Sequence, residues 1–301
     1  MIEEVVVTAQ KKEENIQDVG IAITALTGNQ LKALGISSSL DIVAHTPGLE
    51  ATGAGGGVGA TSFAIRGVAQ NDFSSPQESP VAIYIDQSYI ATPAMSSFSL
   101  FDLERVEVLK GPQGTLFGRN ATGGLVHFIS RKPSQEKESH LDVTLANEGR
   151  KYIEYAAGGG ISDSVSGRLS LASNKSSGLL KNDIGPDLMA EDNFNMRAQL
   201  FFEHSENSST LLKIEEGDED SNRGGYAMQI GYNGNYGGAP TDFFGYTPPD
   251  DVWKTSQDFE SYYKADLSNI NIVHQRSFSD AEFEYIFNSF HSFLVNSQDF
   301  Q

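Results

Sequence analysis

From about residue 139 onward the chain alternates apolar and polar positions with a period of two. In "SVSGRLSLASN", Val165, Leu169 and Leu171 share one face, and Ser164, Ser166, Arg168, Ser170 and Asn174 share the other. In "NFNMRAQLFFE", Phe194, Met196, Ala198, Leu200 and Phe202 oppose Asn193, Asn195, Arg197, Gln199 and Glu203. "EFEYIFNSFHSFLV" puts Phe283, Tyr285, Phe287, Phe293 and Val295 together. The pattern predicts about seven long strands, near 139–146, 150–160, 164–174, 193–204, 209–219, 259–276 and 281–295. In the sixth the apolar phase slips between Leu267 and Ile270, which suggests a bulge. From the turn at 161–164 onward, tight connections (161–164, 205–209, 277–280) alternate with long ones (175–192, 220–258). Strands running up and down then gather these tight turns on one side and the long loops on the other. That is the layout of a transmembrane β-barrel. A soluble sandwich alternates too, but its strands run to about 5–6 residues, whereas a spanning strand needs roughly 9–11. A sheet this size would leave bare edges in lipid. The chain is therefore expected to be the N-terminal part of a longer protein, with residues 134–301 a portion of its barrel.

The first 133 residues read differently. Residues 1–20 hold a short extended stretch, "EEVVVTAQ", and a polar linker, "KKEENIQD". Residues 21–133 mix helix and strand signals. Thr27 and Gln30 make a capping box, Leu31 and Leu34 an apolar face, and Gly35 a stop. "SSLDIVAHTPG" repeats the idea, with Ser38 as cap and Asp41 answering it. Strands follow in "SFAIRGV", "VAIYIDQSYI", "LERVEVLKG" and "LVHFISRKP". The expected fold is an α+β domain followed by the antiparallel strands of an incomplete transmembrane barrel.

Composition narrows the function. The chain holds 40 Asp+Glu against 21 Lys+Arg, a formal net charge of −19, and shows no basic cluster for nucleic acid. Cysteine is absent, which removes disulfides, thiolate metal sites and a cysteine nucleophile. No apolar run reaches the length of a membrane-spanning helix, and no signal peptide is visible at the start. The six histidines are scattered without metal-ligand spacing, and no nucleophile-elbow motif occurs. Neither an enzyme nor a resident cofactor is expected. "GAGGGVGA" places Gly55, Gly57 and Ala60 in a dinucleotide-like pattern, but no strand is expected to lead into it and a strand rather than a helix follows it.

"EEVVVTAQ", "LTGNQLKALGI", "IVAHTPGL", "FAIRGV", "VAIYID", "FDLERVEVLKGPQGTLFGRNATGG" and "HFISRKP" follow one another in a characteristic order. In this the chain resembles the TonB-dependent outer-membrane receptors, densely over residues 2–133 and by architecture beyond. The resemblance implies a TonB box, then a plug domain (21–133), then the first strands of a barrel of about 22 strands. It implies active transport of a scarce nutrient, such as a ferric siderophore, with TonB pulling the plug from the periplasm. Membrane lipid and a metal-chelate-like small molecule are the other expected partners. Rival readings are a non-transporting binding or adhesion protein and a receptor that also signals to a sigma-factor regulator. The family's leader normally stands just before the box, so a chain starting here is expected to have lost it.

By resemblance Glu4, Val5, Val6, Val7, Thr8 and Ala9 form the TonB box. An extended apolar peptide can add itself as a strand to another protein's sheet edge, and the charged flank is expected to keep it loose from the plug. An ordinary edge strand is the plain alternative. Strand direction puts the loops of Thr52, Gly55, Gly57, Tyr89, Thr92 and Met95 at one end, which by resemblance faces substrate, though such loops can simply pack on the wall. Enclosed charges need partners. Arg66, Arg105, Glu107, Lys110 and Arg119 are therefore expected to pair with lumen-facing groups such as Arg168, Arg197 and Glu203.

Overall fold

The computed structural model describes residues 6–8, 11–12, 14–53, 61–70, 78–91, 98–222, 235–236, 239–240, 251, 253–256 and 262–297. The first region is built on a five-stranded sheet of order β3-β8-β9-β6-β7, from β3 (Ala22–Thr27), β6 (Val81–Ile85), β7 (Ser88–Ile90), β8 (Leu103–Lys110) and β9 (Gly124–Ser130). Two small pairs flank it: β1 (Val6–Val7) with β2 (Glu14–Asn15), and β4 (Leu49–Gly53) with β5 (Thr61–Ile65), so that, against expectation, a strand does precede the glycine-rich stretch. The "KKEENIQD" stretch is thus not all linker, since Glu14 and Asn15 pair with Val7 and Val6.

The first helix, α1 (Gly28–Ala33), starts at the expected box. Thr27 Oγ1 accepts the Gln30 N–H at 3.3 Å, and Gln30 Oε1 accepts the Thr27 N–H at 2.9 Å. Leu31 is buried but Leu34 is exposed, because the helix ends before a second turn can bury it. The next predicted helix is a short 3-10 turn, Asp41–His45, without a side-chain cap. Asp41 does bond back, accepting the N–H groups of Ser37 and Ser38 at 2.9 and 2.8 Å. One apolar cluster fills the sheet face under these helices, with Phe63, Ile65, Val106, Val126 and Phe128 at its centre. A second, on the opposite face, holds Ala82, Leu109, Ala121, Leu125, Phe117 of α2 (Gly114–Phe117), and Val7.

"VAIYIDQSYI" is not one strand. Asp86 takes a left-handed φ of 53°, and β7 folds back antiparallel on β6 with Tyr89 opposite Tyr84. A short Asp side chain tolerates that conformation better than most.

The second region is a seven-stranded antiparallel meander in sequence order. Its strands are β10 (Glu138–Leu145), β11 (Lys151–Ser162), β12 (Val165–Ser176), β14 (Glu191–Ser205), β15 (Ser208–Ser221), β19 (Tyr262–Ser277) and β20 (Glu282–Ser297). Within the loops, β13 (Lys181–Asn182) pairs with β18 (Lys254–Thr255), and β16 (Asn235–Tyr236) with β17 (Ala239–Pro240). β10 and β20 are the edges, so the sheet is an open wall, incomplete as a barrel.

The expected bulge in β19 is absent; its register with β15 and β20 is unbroken. The apolar phase slips there because the outer face changes character along the strand. It carries Ile270 and Ile272 low down, and Ser268, Asp266 and Lys264 higher up. The wall's irregularities lie beside two tight turns instead, at Gly160/Ser162 and Glu203/Ser205.

The two faces of the wall invert the usual arrangement of a water-soluble protein. Leu141, Val143, Ile153, Leu169, Phe194, Ile214, Ile270, Phe283 and Phe287 point outward and are exposed. Glu154, Arg168, Ser170, Arg197, Gln199, Lys213, Glu215, Asn269 and Asn271 point inward and are buried. An apolar outer face and a polar interior are the signature of a barrel in lipid. Among the described residues no helix is long and apolar enough to cross a membrane.

Candidate functional site: the plug seam and the docked N-terminal strand

Two acids of the first region tie it to the wall, and both sit at strand ends in left-handed turns. Asp86 follows β6, and Asp102, with φ 46°, precedes β8. The Asp86 carboxylate accepts the Ser130 N–H at 2.7 Å, the Ser130 hydroxyl at 3.0 Å and the Lys213 ammonium at 2.6 Å. Burial alone would push its carboxyl up, but the charges of Lys213 and Arg197 prevail and hold it far below the usual carboxylate range. Lys213, fully buried, also reaches Glu215 at 3.4 Å. Glu215 in turn takes Arg197 at 2.8 and 3.1 Å. Arg197 donates to the Phe101 carbonyl at 3.1 Å and lies over the Phe101 ring, 4.2 Å from its centroid.

Asp102 forms the second tie. Arg168 grips it bidentately, Nε and Nη2 both at 2.6 Å, and the Ser170 hydroxyl donates to it as well. Burial works against the Asp102 charge, but these bonds outweigh it and keep the carboxyl below its ordinary range. Glu154 completes this end, accepting the Asp102 N–H at 3.1 Å, the Tyr152 hydroxyl at 2.6 Å and His140 at 2.9 Å. Ligand atoms of Asp102, His140 and Glu154 lie within 4.8 Å of one another. That trio is already a hydrogen-bonded network with Arg168 as its cation, so its donor set does not fit a metal centre.

The N-terminal strand is docked rather than loose. Val7 is fully buried in the second apolar cluster. Thr8 donates to Glu107 Oε1 through its N–H at 2.8 Å and its hydroxyl at 3.1 Å. Arg105 Nε donates to the same oxygen at 2.8 Å, and its Nη2 reaches the Thr8 hydroxyl at 3.3 Å. Arg105 and Glu107 stand two apart on β8, hence on one face. Across the ladder from Glu107 is His127, whose Nε2 bonds the Asp86 carbonyl. Burial pushes the His127 pKa down despite the nearby Glu107 carboxylate, so the ring is held neutral.

The residues singled out from sequence fall as follows. Val6, Val7 and Thr8 lie in this docking site; Glu4, Val5 and Ala9 lie outside the described residues. Arg105 and Glu107 pair with each other, and Arg119 pairs with Glu78 at 3.0 Å, all within the first region. Arg66 is exposed and makes no ion pair among the described residues. Burial and the charge of Arg66 both push the Lys110 pKa down. The buried partners of the wall are thus the acids Asp86 and Asp102, because the strand ends rather than the strand centres reach it, while Lys32 makes an exposed pair with Asp142 at 2.6 Å. On the wall, Arg168 and Arg197 do face inward as parity implied, while the Glu203 carboxylate accepts from Gln135 at 3.5 Å and makes no ion pair among the described residues. Thr52 lies on β4; Gly55, Gly57, Thr92 and Met95 lie outside the described residues. Tyr89 departs from its expected place. The Asp86 turn carries it back onto the sheet face that holds Val7, where its ring packs 5.6 Å from Tyr84 and its hydroxyl accepts from Asn120 at 2.8 Å.

Lys213 and Glu215 went unnoticed in the sequence, although the signal was there. Leu212 and Ile214 fix the outer face, so the intervening charges must point in.

Comparison with known proteins supports the same partition. Residues 15–125 match the model of the TonB-dependent receptor plug domain. The vitamin B12 transporter BtuB of Vibrio vulnificus (strain YJ016) is 24% identical over 182 residues, covering 60% of this chain and 29% of BtuB. The ferrioxamine receptor of Yersinia enterocolitica is 24% identical over 84% of this chain and 34% of its own length. Among solved structures, the ferric yersiniabactin uptake receptor FyuA from Yersinia pestis superposes with a TM-score of 0.76 at 18% identity, over 92% of this chain and 41% of FyuA. The chain spans less than half the length of each of these relatives. A plug domain over residues 15–125, tied by buried charges to an outward-apolar wall of strands, makes the chain similar to the TonB-dependent outer-membrane receptors.

Proposed function

We propose that the protein of which this chain is a part imports a scarce nutrient, too large for general pores, across the bacterial outer membrane, using work delivered by TonB to residues 4–9. The observation that carries this reading is the pairing of two contacts on one plug: a buried charged seam to the wall, and a docked N-terminal strand on a separate site. A gate needs both, one contact to seat it and one to be pulled. The relatives named above for vitamin B12, ferrioxamine and ferric yersiniabactin suggest a metal chelate as cargo. The plug does no chemistry on it.

Val7→Pro in the full-length receptor removes a ladder N–H and the extended pairing a strand-adding partner needs. Energised uptake of the cargo is expected to vanish while binding at the cell surface persists. Wild-type uptake by that variant would overturn the reading. Ligand binding that never leads to proton-gradient-dependent accumulation would favour a binding or adhesion protein instead.

A further inference from the structure

The docked strand hangs on one carboxylate oxygen. Glu107 Oε1 receives the Thr8 N–H, the Thr8 hydroxyl and Arg105 Nε, while Oε2 is buried with no hydrogen-bond partner among the described residues. Glu107 itself is fully buried on a core strand and cannot follow Thr8 if the segment leaves. The rest of the attachment is small: one long bond from Arg105 to the Thr8 hydroxyl at 3.3 Å, two ladder pairs to β2 and one buried side chain, Val7. A partner that adds a strand needs the main-chain groups of this segment. Those groups are engaged here, the Thr8 N–H by Glu107 and Val6 and Val7 by β2. Docking on the plug and pairing with another protein's sheet edge therefore compete for the same atoms. Val7 adds to the competition, since its side chain is withdrawn among Ala82, Leu109, Phe117, Ala121 and Leu125.

We propose that Glu107, positioned by Arg105, is the latch that holds residues 6–8 on the plug, and that its release sets how often the segment is free to pair with TonB. This rests on the reading of residues 4–9 as the TonB contact. Arg105 acts through Glu107: it fixes the carboxylate rotamer and also holds the Thr8 hydroxyl that donates to it.

This chain has no cysteine, so Val6→Cys, at an exposed position, takes a nitroxide label in a full-length receptor cleared of other thiols. In the parent the label is expected to be largely immobile. Glu107→Ala is expected to raise the mobile-to-immobile ratio about tenfold or more, since a charge-assisted pair of bonds is lost, and Glu107→Gln to raise it less. If Glu107→Ala does not fold, Thr8→Pro removes the same N–H from the other side and is expected to free the label equally. A label as immobile in these variants as in the parent overturns the latch. The isolated periplasmic domain of TonB is then added to Glu107→Ala, and its affinity is expected to rise by a similar factor. A freed label with unchanged TonB affinity overturns the link to TonB by removing the reading of residues 4–9, and leaves the docking contact itself measured.

Discussion

The plug uses buried ion pairs in two places, and the two differ in redundancy rather than in chemistry. At the wall, two plug acids meet three cations and two further carboxylates, and most groups have more than one partner. At the N-terminal strand, a single glutamate oxygen holds Thr8, just after a two-residue strand, with one further bond from Arg105 to the Thr8 hydroxyl. Breaking one bond of the seam leaves the rest in place. Breaking the Glu107 contact leaves the Thr8 side chain with one long bond, from Arg105 to its hydroxyl at 3.3 Å. The first arrangement suits a contact meant to stay, and the second suits one meant to let go.

The largest effect is expected at the centre of the seam. Lys213→Met leaves Asp86 and Glu215 buried without their shared cation. Such a loss costs about 3–5 kcal/mol. It is read as a drop in the urea midpoint of the full-length receptor in detergent, and the plug rather than the wall is expected to loosen first. Adding Asp86→Asn should recover part of the loss, because the double variant no longer buries that uncompensated charge. A Lys213→Met receptor as stable as the parent would erase the distinction between the two sites.

A smaller effect follows from acidity. Asp86 and Asp102 both have carboxyls depressed in the folded protein. A depressed group contributes stability above its unfolded value, near pH 4, and loses it as pH falls through the folded value. The seam is therefore expected to be at full strength above about pH 5 and to weaken progressively below about pH 4. Asp102→Asn should lower the neutral-pH midpoint and flatten the acid limb of the profile. An unchanged acid limb in that variant would mean that Arg168 is satisfied by Glu138 alone, which lies 3.3 Å from its Nη1.

The wall was legible because alternation survives without any knowledge of the partner. Parity alone turns Arg168, Arg197, Lys213 and Glu215 inward. The ordered motifs of the plug likewise named its strands in sequence. What the sequence hid was which side chain stands across a gap. A cation at the centre of a plug strand looks like a natural partner for the wall, yet Arg105 finds Glu107 two residues away on its own strand. Asp86 was hidden by the turn it makes: read as one strand, "VAIYIDQSYI" spaces Tyr84 and Tyr89 apart, whereas the turn sets them opposite each other. β2 was hidden because a two-residue strand inside a charged stretch leaves no periodicity to read.

The smallest expected effect tests whether distance by itself carries any of this. Lys264 and Asp220 lie 2.7 Å apart on the outer face, almost the separation of Lys213 and Asp86, but their side chains are 59% and 56% exposed. Water and salt screen such a pair, and holding two long side chains together offsets much of what the contact gains. Lys264→Ala is expected to leave the urea midpoint where it was, at low and high salt alike. A shift approaching that of Lys213→Met would mean that this stretch of the outer face is shielded in the membrane. In that case the contrast between seam and latch would have to rest on partner number alone, since burial would no longer separate a pair that matters from one that does not.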